Sequence, residues 1–185
     1  MKKQLIIGSA VAIALASTSA FAAGPVQGGY IGANYIAATF EEDDFVEDVD
    51  LDILSFKAGA KVNPYVAFEA RAGFGIGDDS ATFGSVTASI EADYLLGAYG
   101  VFGIPNESPV YPYAVLGYSK GELTLKATGP GGSASASASE SDISYGIGAN
   151  LTITEKVDLN AEYMQFIDKD GAEISGLTVG AVYRF

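Results

Sequence analysis

The side chains that could do chemistry in this chain of 185 residues are mostly carboxylates. Asp and Glu number 23, whereas Cys and His are absent. Their absence excludes disulfides and thiolate metal sites, and removes the commonest general base and metal ligand. Glu91 and Asp93 share one face of an extended chain and could act as paired acids. Charge pairing with Lys or Arg explains them more simply, so we predict no enzyme activity and no cofactor.

A second acidic group falls in residues 41–50, where seven of ten residues are Asp or Glu. Such a run could bind Ca²⁺ through carboxylates, but it lacks the ligand spacing and the glycine of an EF-hand loop. We therefore predict a solvated loop and no metal site. The whole chain carries a formal net charge of −13, which argues against nucleic acid as a partner.

The N-terminus has the pattern of a secretory signal peptide. Lys2 and Lys3 precede an apolar core at residues 5–16, and an Ala-Phe-Ala sequence ends at Ala22. The apolar core is too short for a membrane helix. We predict cleavage between Ala22 and Ala23, so residues 1–22 are a signal peptide and residues 23–185 form one folded domain.

Apolar and polar residues alternate with period two through most of the remaining chain, which predicts β-strands. The eight predicted strands cover residues 28–40, 51–62, 65–77, 86–102, 111–126, 142–154, 157–168 and 174–185. The first and fifth have an ambiguous phase, and a bulge near Gly121 would explain the fifth. Residues 77–85 are interpreted as a loop, and the low-complexity residues 129–141 as a flexible loop.

An even number of strands, joined alternately by short turns and mostly longer loops, predicts an eight-stranded antiparallel transmembrane up-and-down β-barrel. A soluble barrel with inside and outside exchanged fits the same alternation. The polar face decides against it, because glycines and charges of both signs suit a narrow interior. We predict an interior charge network of Lys57, Lys61, Glu69, Arg71, Glu91, Asp93 and Glu162. Aromatic residues near the strand ends of the other face fit membrane-interface girdles, namely Phe74, Phe102, Tyr113, Tyr145, Tyr183 and Phe185.

Three short segments carry a resemblance to a known family. The last strand has apolar residues at every second position and ends in Tyr183, Arg184 and Phe185. This ending resembles the C-terminal strand that the barrel-assembly machinery reads in bacterial outer-membrane proteins. Asn-Pro-Tyr-Val-Ala-Phe-Glu at residues 63–69 and Leu-Asn-Ala-Glu-Tyr at residues 159–163 resemble the eight-stranded transmembrane domain of the OmpA-like family.

The resemblance implies a bacterial outer-membrane location and a charge cluster inside the barrel. Glu69 and Glu162 match the family's inward-pointing acids. The family's partner arginine on the seventh strand is replaced by Asn160, which leaves Arg71, Lys57 and Lys61 as alternative partners. The family's peptidoglycan-binding domain is not expected, so the chain resembles a stand-alone barrel.

These observations favour a structural or cell-surface role for a barrel whose interior is plugged by paired charges. A narrow porin-like channel and a surface-binding module acting through loops are the alternatives. The partners implied are outer-membrane lipid and lipopolysaccharide, with the barrel-assembly machinery and periplasmic chaperones during biogenesis. We expect a monomer.

Overall fold

The computed structural model describes residues 27–42, 49–169 and 172–185. The strands are β1 (Gly28–Glu42), β2 (Val49–Lys61), β3 (Val66–Gly75), β4 (Asp78–Phe83), β5 (Val86–Gly103), β6 (Val110–Gly129), β7 (Gly132–Thr152), β8 (Val157–Lys169) and β9 (Ala172–Arg184). Within these residues no helix is long and apolar enough to cross a membrane. The predicted signal peptide, its cleavage site at Ala22 and Ala23, and residues 43–48 of the acidic run lie outside the described residues.

Eight of the strands form a closed antiparallel ring. Around the ring the order is β1, β2, β3, β5, β6, β7, β8 and β9, and β9 pairs back onto β1. Closure gives each of these strands a partner on both sides, which removes the exposed strand edges of an open sheet. The predicted eight-stranded antiparallel barrel is confirmed.

Tight turns close one end of the ring, which we call the turn end. They lie at residues 62–65, 104–109 and 153–156. Asn63 Oδ1 accepts hydrogen bonds from the backbone N–H groups of Tyr65 and Val66, both at 2.8 Å. Thr154 Oγ1 accepts from the N–H of Val157 at 3.0 Å. Side-chain acceptors of this kind satisfy backbone donors that a two- to four-residue connection leaves unpaired.

The opposite end, the hairpin end, is more regular than the sequence pattern predicts. β4 lies in the segment interpreted as a loop, and it pairs with β5 through a turn at Gly84, whose φ is +65°. β7 begins at Gly132, so most of the Ser/Ala segment predicted as a flexible loop is strand. Both loop predictions were wrong, because backbone pairing with β5 and β6 sustains strands that have little side-chain burial.

Two irregularities change which residues face inward. The register shifts on β5 between Ala92 and Tyr94, and on β8 between Gln165 and Ile167. The bulge predicted on β6 near Gly121 was therefore misplaced, because the irregularity lies on β5 opposite Glu122 and Leu123. An extra residue in one strand moves every following side chain to the other face.

Large apolar side chains cover the outside of the ring. Ile147 is 69% exposed, for example. Others along the outer face include Ile31, Tyr35, Phe56, Phe68, Phe74, Leu96, Phe102, Leu116, Tyr145, Leu159, Tyr163, Leu177, Val179 and Tyr183. Water would not favour so wide an apolar belt, whereas a lipid bilayer does. Tyr113 departs from the predicted girdle, because its strand phase turns the ring into the barrel, where it is 6% exposed.

Candidate functional site: the interior charge cluster and the layers at its two ends

Four ionisable side chains meet inside the barrel, and we call them the interior charge cluster: Lys57, Glu69, Arg71 and Glu162. Lys57 comes from β2, Glu69 and Arg71 from β3, and Glu162 from β8. Strand alternation turns all four inward, since Glu69 and Arg71 are two residues apart and Lys57 pairs in register with Arg71. Their side chains are nearly inaccessible: that of Arg71 is 8% exposed, and Glu162 is only 1% exposed.

Arg71 is the centre of this cluster. Its Nη2 donates to Glu162 Oε2 at 3.0 Å, and its Nη1 donates to Glu162 Oε1. Its Nε donates to Glu69 Oε2 at 2.7 Å. One guanidinium therefore binds carboxylates from two strands on opposite sides of the barrel, which uses the fork geometry that lysine lacks. Of the three alternative partners Arg71, Lys57 and Lys61, Arg71 is the one that donates hydrogen bonds to both Glu69 and Glu162. Asn160 carries no charge and could not form these ion pairs.

Lys57 and Tyr30 complete the surroundings of the two acids. Lys57 lies within electrostatic range of Glu69 and Glu162, so the cluster has two positive and two negative groups. Tyr30 donates from its hydroxyl to Glu69 Oε1 at 2.7 Å. The ring of Tyr30 needs the glycine opposite it, because a Cβ at Gly59 would lie 2.6 Å from Cε2 of that ring.

A line of hydroxyl groups leads from the cluster toward the hairpin end. The Arg71 guanidinium carbon lies 4.6 Å from the centre of the Tyr99 ring, within cation–π range. The Tyr99 hydroxyl is 2.6 Å from Ser119 Oγ, to which Ser144 Oγ also lies at 2.6 Å. Ser144 in turn donates to the backbone oxygen of Phe166 at 2.7 Å. Together these contacts join β3, β5, β6, β7 and β8 across the interior.

An apolar layer fills the interior between the cluster and the hairpin end. Its members come from five of the eight ring strands and belong to one buried cluster: Ile36, Leu51, Ile53, Leu95, Met164, Phe166, Ile167 and Ile174. Phe166 and Ile167 are each 1% exposed. The bulge on β8 makes this possible, because it lets consecutive residues around it be buried.

At the turn end the interior is polar. Arg184 Nη2 lies 3.1 Å from Asp158 Oδ1 and donates to the backbone oxygen of Thr154 at 3.1 Å. Lys61 Nζ lies 5.3 Å from the centre of the Tyr111 ring. Lys61, predicted as part of the charge network, therefore lies in a separate layer, one step closer to the turn end than the interior charge cluster.

Two predicted members of the charge network lie elsewhere. Glu91 forms an ion pair with Lys126 near the hairpin end, where both side chains are more than one-third exposed. Asp93 is exposed and accepts a hydrogen bond from Thr124. The predicted inward orientation of Glu91 and Asp93 was wrong, because the bulge between Ala92 and Tyr94 reverses the phase that the rest of β5 follows.

The last two aromatic residues lie on the outside at the turn end. Tyr183 and Phe185 pack edge to face, with ring centres 5.6 Å apart. Phe185 donates its backbone N–H to Gly29 at 3.0 Å, which fixes the chain end against β1. This position suits a membrane-interface anchor; a role of Tyr183 and Phe185 in assembly remains a prediction.

Sequence reasoning missed the tyrosines of the cluster. Tyr30 binds Glu69, and Tyr99 lies against Arg71. The alternation along β1 places Ile31 on the outer face, so the neighbouring Tyr30 could have been predicted to point inward. The described residues contain no group of three or more Asp or Glu side chains placed to hold a metal ion.

Comparisons with known proteins agree with this architecture. Residues 8–185 match the family described as outer membrane protein beta-barrel domain. A search of curated proteins found no match.

Among solved structures, Ail, the attachment invasion locus protein of Yersinia pestis, is 21% identical with a TM-score of 0.64, over 85% of this chain and 98% of that chain. Neisserial surface protein A is 19% identical with a TM-score of 0.60, over 85% and 97%. The N-terminal barrel of Pseudomonas aeruginosa OprF is 13% identical with a TM-score of 0.51, over 86% and 100%. At these identities the likeness concerns the fold. The family match covers nearly the whole chain, and the chain therefore belongs to the outer membrane β-barrel family and is a bacterial outer-membrane protein.

Proposed function

We propose that this protein is a closed barrel with a structural role in the outer membrane and that its interior does not conduct. This proposal rests on the order in which two closing layers follow each other along the lumen. The interior charge cluster bridges β3 and β8 through Arg71, and the apolar layer lies between it and the hairpin end. An ion crossing the barrel would have to separate the buried ion pairs and then enter an apolar layer, and each step is costly.

A structural role also fits the outer surface. The exposed apolar belt offers a wide contact with lipid, and its aromatic residues suit the membrane interfaces. The partners in this proposal are outer-membrane lipid and lipopolysaccharide in the mature state, and the barrel-assembly machinery with periplasmic chaperones before it. Within the described residues, every strand of the closed ring has a neighbouring strand on both sides along the apolar belt. No strand edge is left there to pair with a second copy, which favours a monomer.

A second candidate function is surface binding through the strands at the hairpin end. We call this part the surface sheet: β4 with residues 86–92 of β5, 122–129 of β6 and 132–142 of β7. Backbone pairing of β7 with β8 begins only at Tyr145, and side chains of Glu140, Asp142 and Ser144 contact β8. On the edge that faces away from β6, residues 132–139 therefore have no pairing with a described strand. Extended peptides can add to such an edge.

The charge of the surface sheet limits the partner. Glu91, Glu122, Glu140 and Asp142 outnumber Lys126 among the ionisable side chains of its β5, β6 and β7 segments. One solved structure of Ail, 22% identical to this chain, is a complex with the heparin analogue sucrose octasulfate. The acidic surface sheet of this protein is a poor match to such a polyanion.

One complementation experiment separates the two candidates. A strain lacking the protein is complemented with the wild type or with a variant in which an Asn-Gly turn joins Thr124 to Ser137, replacing residues 125–136. Thr124 and Ser137 are cross-strand partners, so the short hairpin preserves the register. If the barrel acts structurally, both proteins restore resistance to detergent and retention of periplasmic enzymes. Failure of the shortened variant, at equal membrane levels, would contradict the structural role and favour surface binding.

A further inference from the structure

A cavity at the turn end differs from the rest of the interior in its lining. It measures about 270 Å³ and opens among the turns at residues 62–65 and 104–109. Its ionisable and amide side chains include Lys61, Asn150, Asp158 and Arg184, which are contributed by β2, β7, β8 and β9. None of them belongs to the interior charge cluster. The turn end of outer-membrane barrels faces the periplasm, so this cavity is accessible from the periplasm.

The lining of this cavity carries a local positive charge on a strongly acidic protein. Lys61 and Arg184 are cations, and Asp158 is the single acid among the residues that line it. Asp158 and Arg184 lie 3.1 Å apart, but this contact lacks hydrogen-bond geometry. Asp158 Oδ1 is buried and accepts no hydrogen bond from the described residues, and Arg184 Nε is buried and donates none to them.

A row of buried amides that begins at Asn150, which lines the cavity, also lacks protein partners. Asn34, Asn160 and Asn150 follow one row across β1, β8 and β7, with Gly180 of β9 between the first two. Asn34 Oδ1, Asn150 Oδ1 and both amide atoms of Asn160 have no hydrogen bond within the described residues. Asn160 is only 4% exposed. Native interiors rarely leave buried polar atoms unsatisfied, so Asn150 at the cavity and the two amides farther along the row call for a ligand or ordered water.

We infer that this turn-end cavity is a binding site for a small oxyanion group, a carboxylate or a phosphate, that arrives from the periplasm. Water alone would satisfy single donors and acceptors. An oxyanion would in addition compensate the positive charge of Lys61 and Arg184, and its oxygens would accept from Arg184 Nε. The Asn150 amide would donate from Nδ2 after turning, because its unpartnered atom is the oxygen, and water would satisfy Asp158 Oδ1. The cavity is smaller than a typical site for a drug-sized molecule, so it suits the anionic end of a ligand rather than a whole one.

The test is a titration of ¹⁵N-labelled protein, refolded in a neutral detergent, with sodium acetate and with sodium phosphate at constant ionic strength. Chloride serves as the reference anion. We expect saturable chemical-shift changes at Asn150, Asn160 and Arg184. Lys61→Met should weaken binding by at least about fivefold, the factor expected when one charge near ion-pair distance is removed. Asn150→Ala provides a second test that leaves the charge unchanged, and it should also weaken binding.

Lys156 offers a matched control, because it lies at the same end but on the outside, 5.9 Å from the centre of the Tyr183 ring. Lys156→Met should bind like the wild type. The inference is overturned if shifts do not saturate or equal those with chloride, or if Lys61→Met and Asn150→Ala both bind like the wild type, in which case the buried amides hold water only. Conductance does not enter this readout, so an open lumen would refute the proposed function without refuting the site.

A further arm identifies the source of the anion. A soluble cell-wall stem peptide carries free carboxylates, and tighter binding of this peptide than of acetate would assign the site to the cell wall. Binding of phosphate at least as tight as that of the stem peptide would assign it to free periplasmic anions. Either result retains the oxyanion site.

Discussion

Arg71→Met tests whether the interior charge cluster stabilises the barrel as a unit. The guanidinium donates to Glu162 through two nitrogens and to Glu69 through Nε at 2.7 Å. Its loss leaves two buried carboxylates with Lys57 as the remaining cation of the cluster. Removing one partner of a buried ion pair costs about 3–5 kcal/mol, and here one arginine serves two acids. We therefore expect the free energy of unfolding to fall by about 4 kcal/mol.

A second change should recover part of this loss. In the double variant Arg71→Met, Glu162→Gln, the charges of Lys57 and Glu69 balance again, and Tyr30 still donates to Glu69. We expect the two substitutions to be non-additive by roughly 1–3 kcal/mol, as for residues in one network. Lys126→Met is the matched control, since it breaks the exposed pair with Glu91 and should cost no more than about 1 kcal/mol.

The assay is urea unfolding in phospholipid vesicles, with the folded fraction read from electrophoretic mobility of unheated samples. A loss for Arg71→Met no larger than that for Lys126→Met would refute the reasoning. So would additive losses in the double variant, because the carboxylates would then not depend on the same guanidinium.

Three further predictions follow from the barrel and its cluster. The closed ring should resist SDS without heating and migrate faster than the boiled protein; equal mobility for membrane-inserted protein would count against closure. Removal of Phe185 should reduce assembly and increase periplasmic degradation, whereas Phe102→Ala, which changes another exposed turn-end aromatic, should assemble normally; quantitative blots of membrane fractions decide this. Tyr30→Phe removes a buried hydroxyl that donates to a carboxylate and should cost about 1.5–3 kcal/mol. Tyr118→Phe removes an exposed hydroxyl near Ser141 and should change stability by less than about 1 kcal/mol; equal losses would exclude a specific role of Tyr30.

Period-two alternation was sufficient to predict the barrel, because a membrane barrel sorts side chains by face. Phe56, Phe68 and Ile147 point outward as predicted, and each is at least 46% exposed. The same sorting turned Glu69 and Arg71 inward, since both lie in a strand without register shifts.

Register shifts and the hairpin end could not be predicted in the same way. The extra residue near Asp93 has no sequence signal of its own, so the phase of β5 could not be carried across it to Glu91. Residues 133–140 are exposed on β7. A strand held by backbone pairing alone shows no contrast between buried and solvated faces, so the Ser/Ala pattern resembled a flexible loop. The ion pairs of Arg71 could not be predicted from the sequence either. Alternation places Lys57 on the same inner face, and it gives no distances that would show which cation pairs with the acids.

Single-channel recording in planar bilayers tests the closed lumen most directly. Refolded wild-type protein is added at defined orientation, and current is recorded at both polarities in concentrated salt, with a general porin as the positive control. With the interior charge cluster and the apolar layer both in place, we predict no steady current steps from protein that is shown to be inserted. Reproducible steps comparable to those of the porin would contradict the closed barrel and establish a channel in its place.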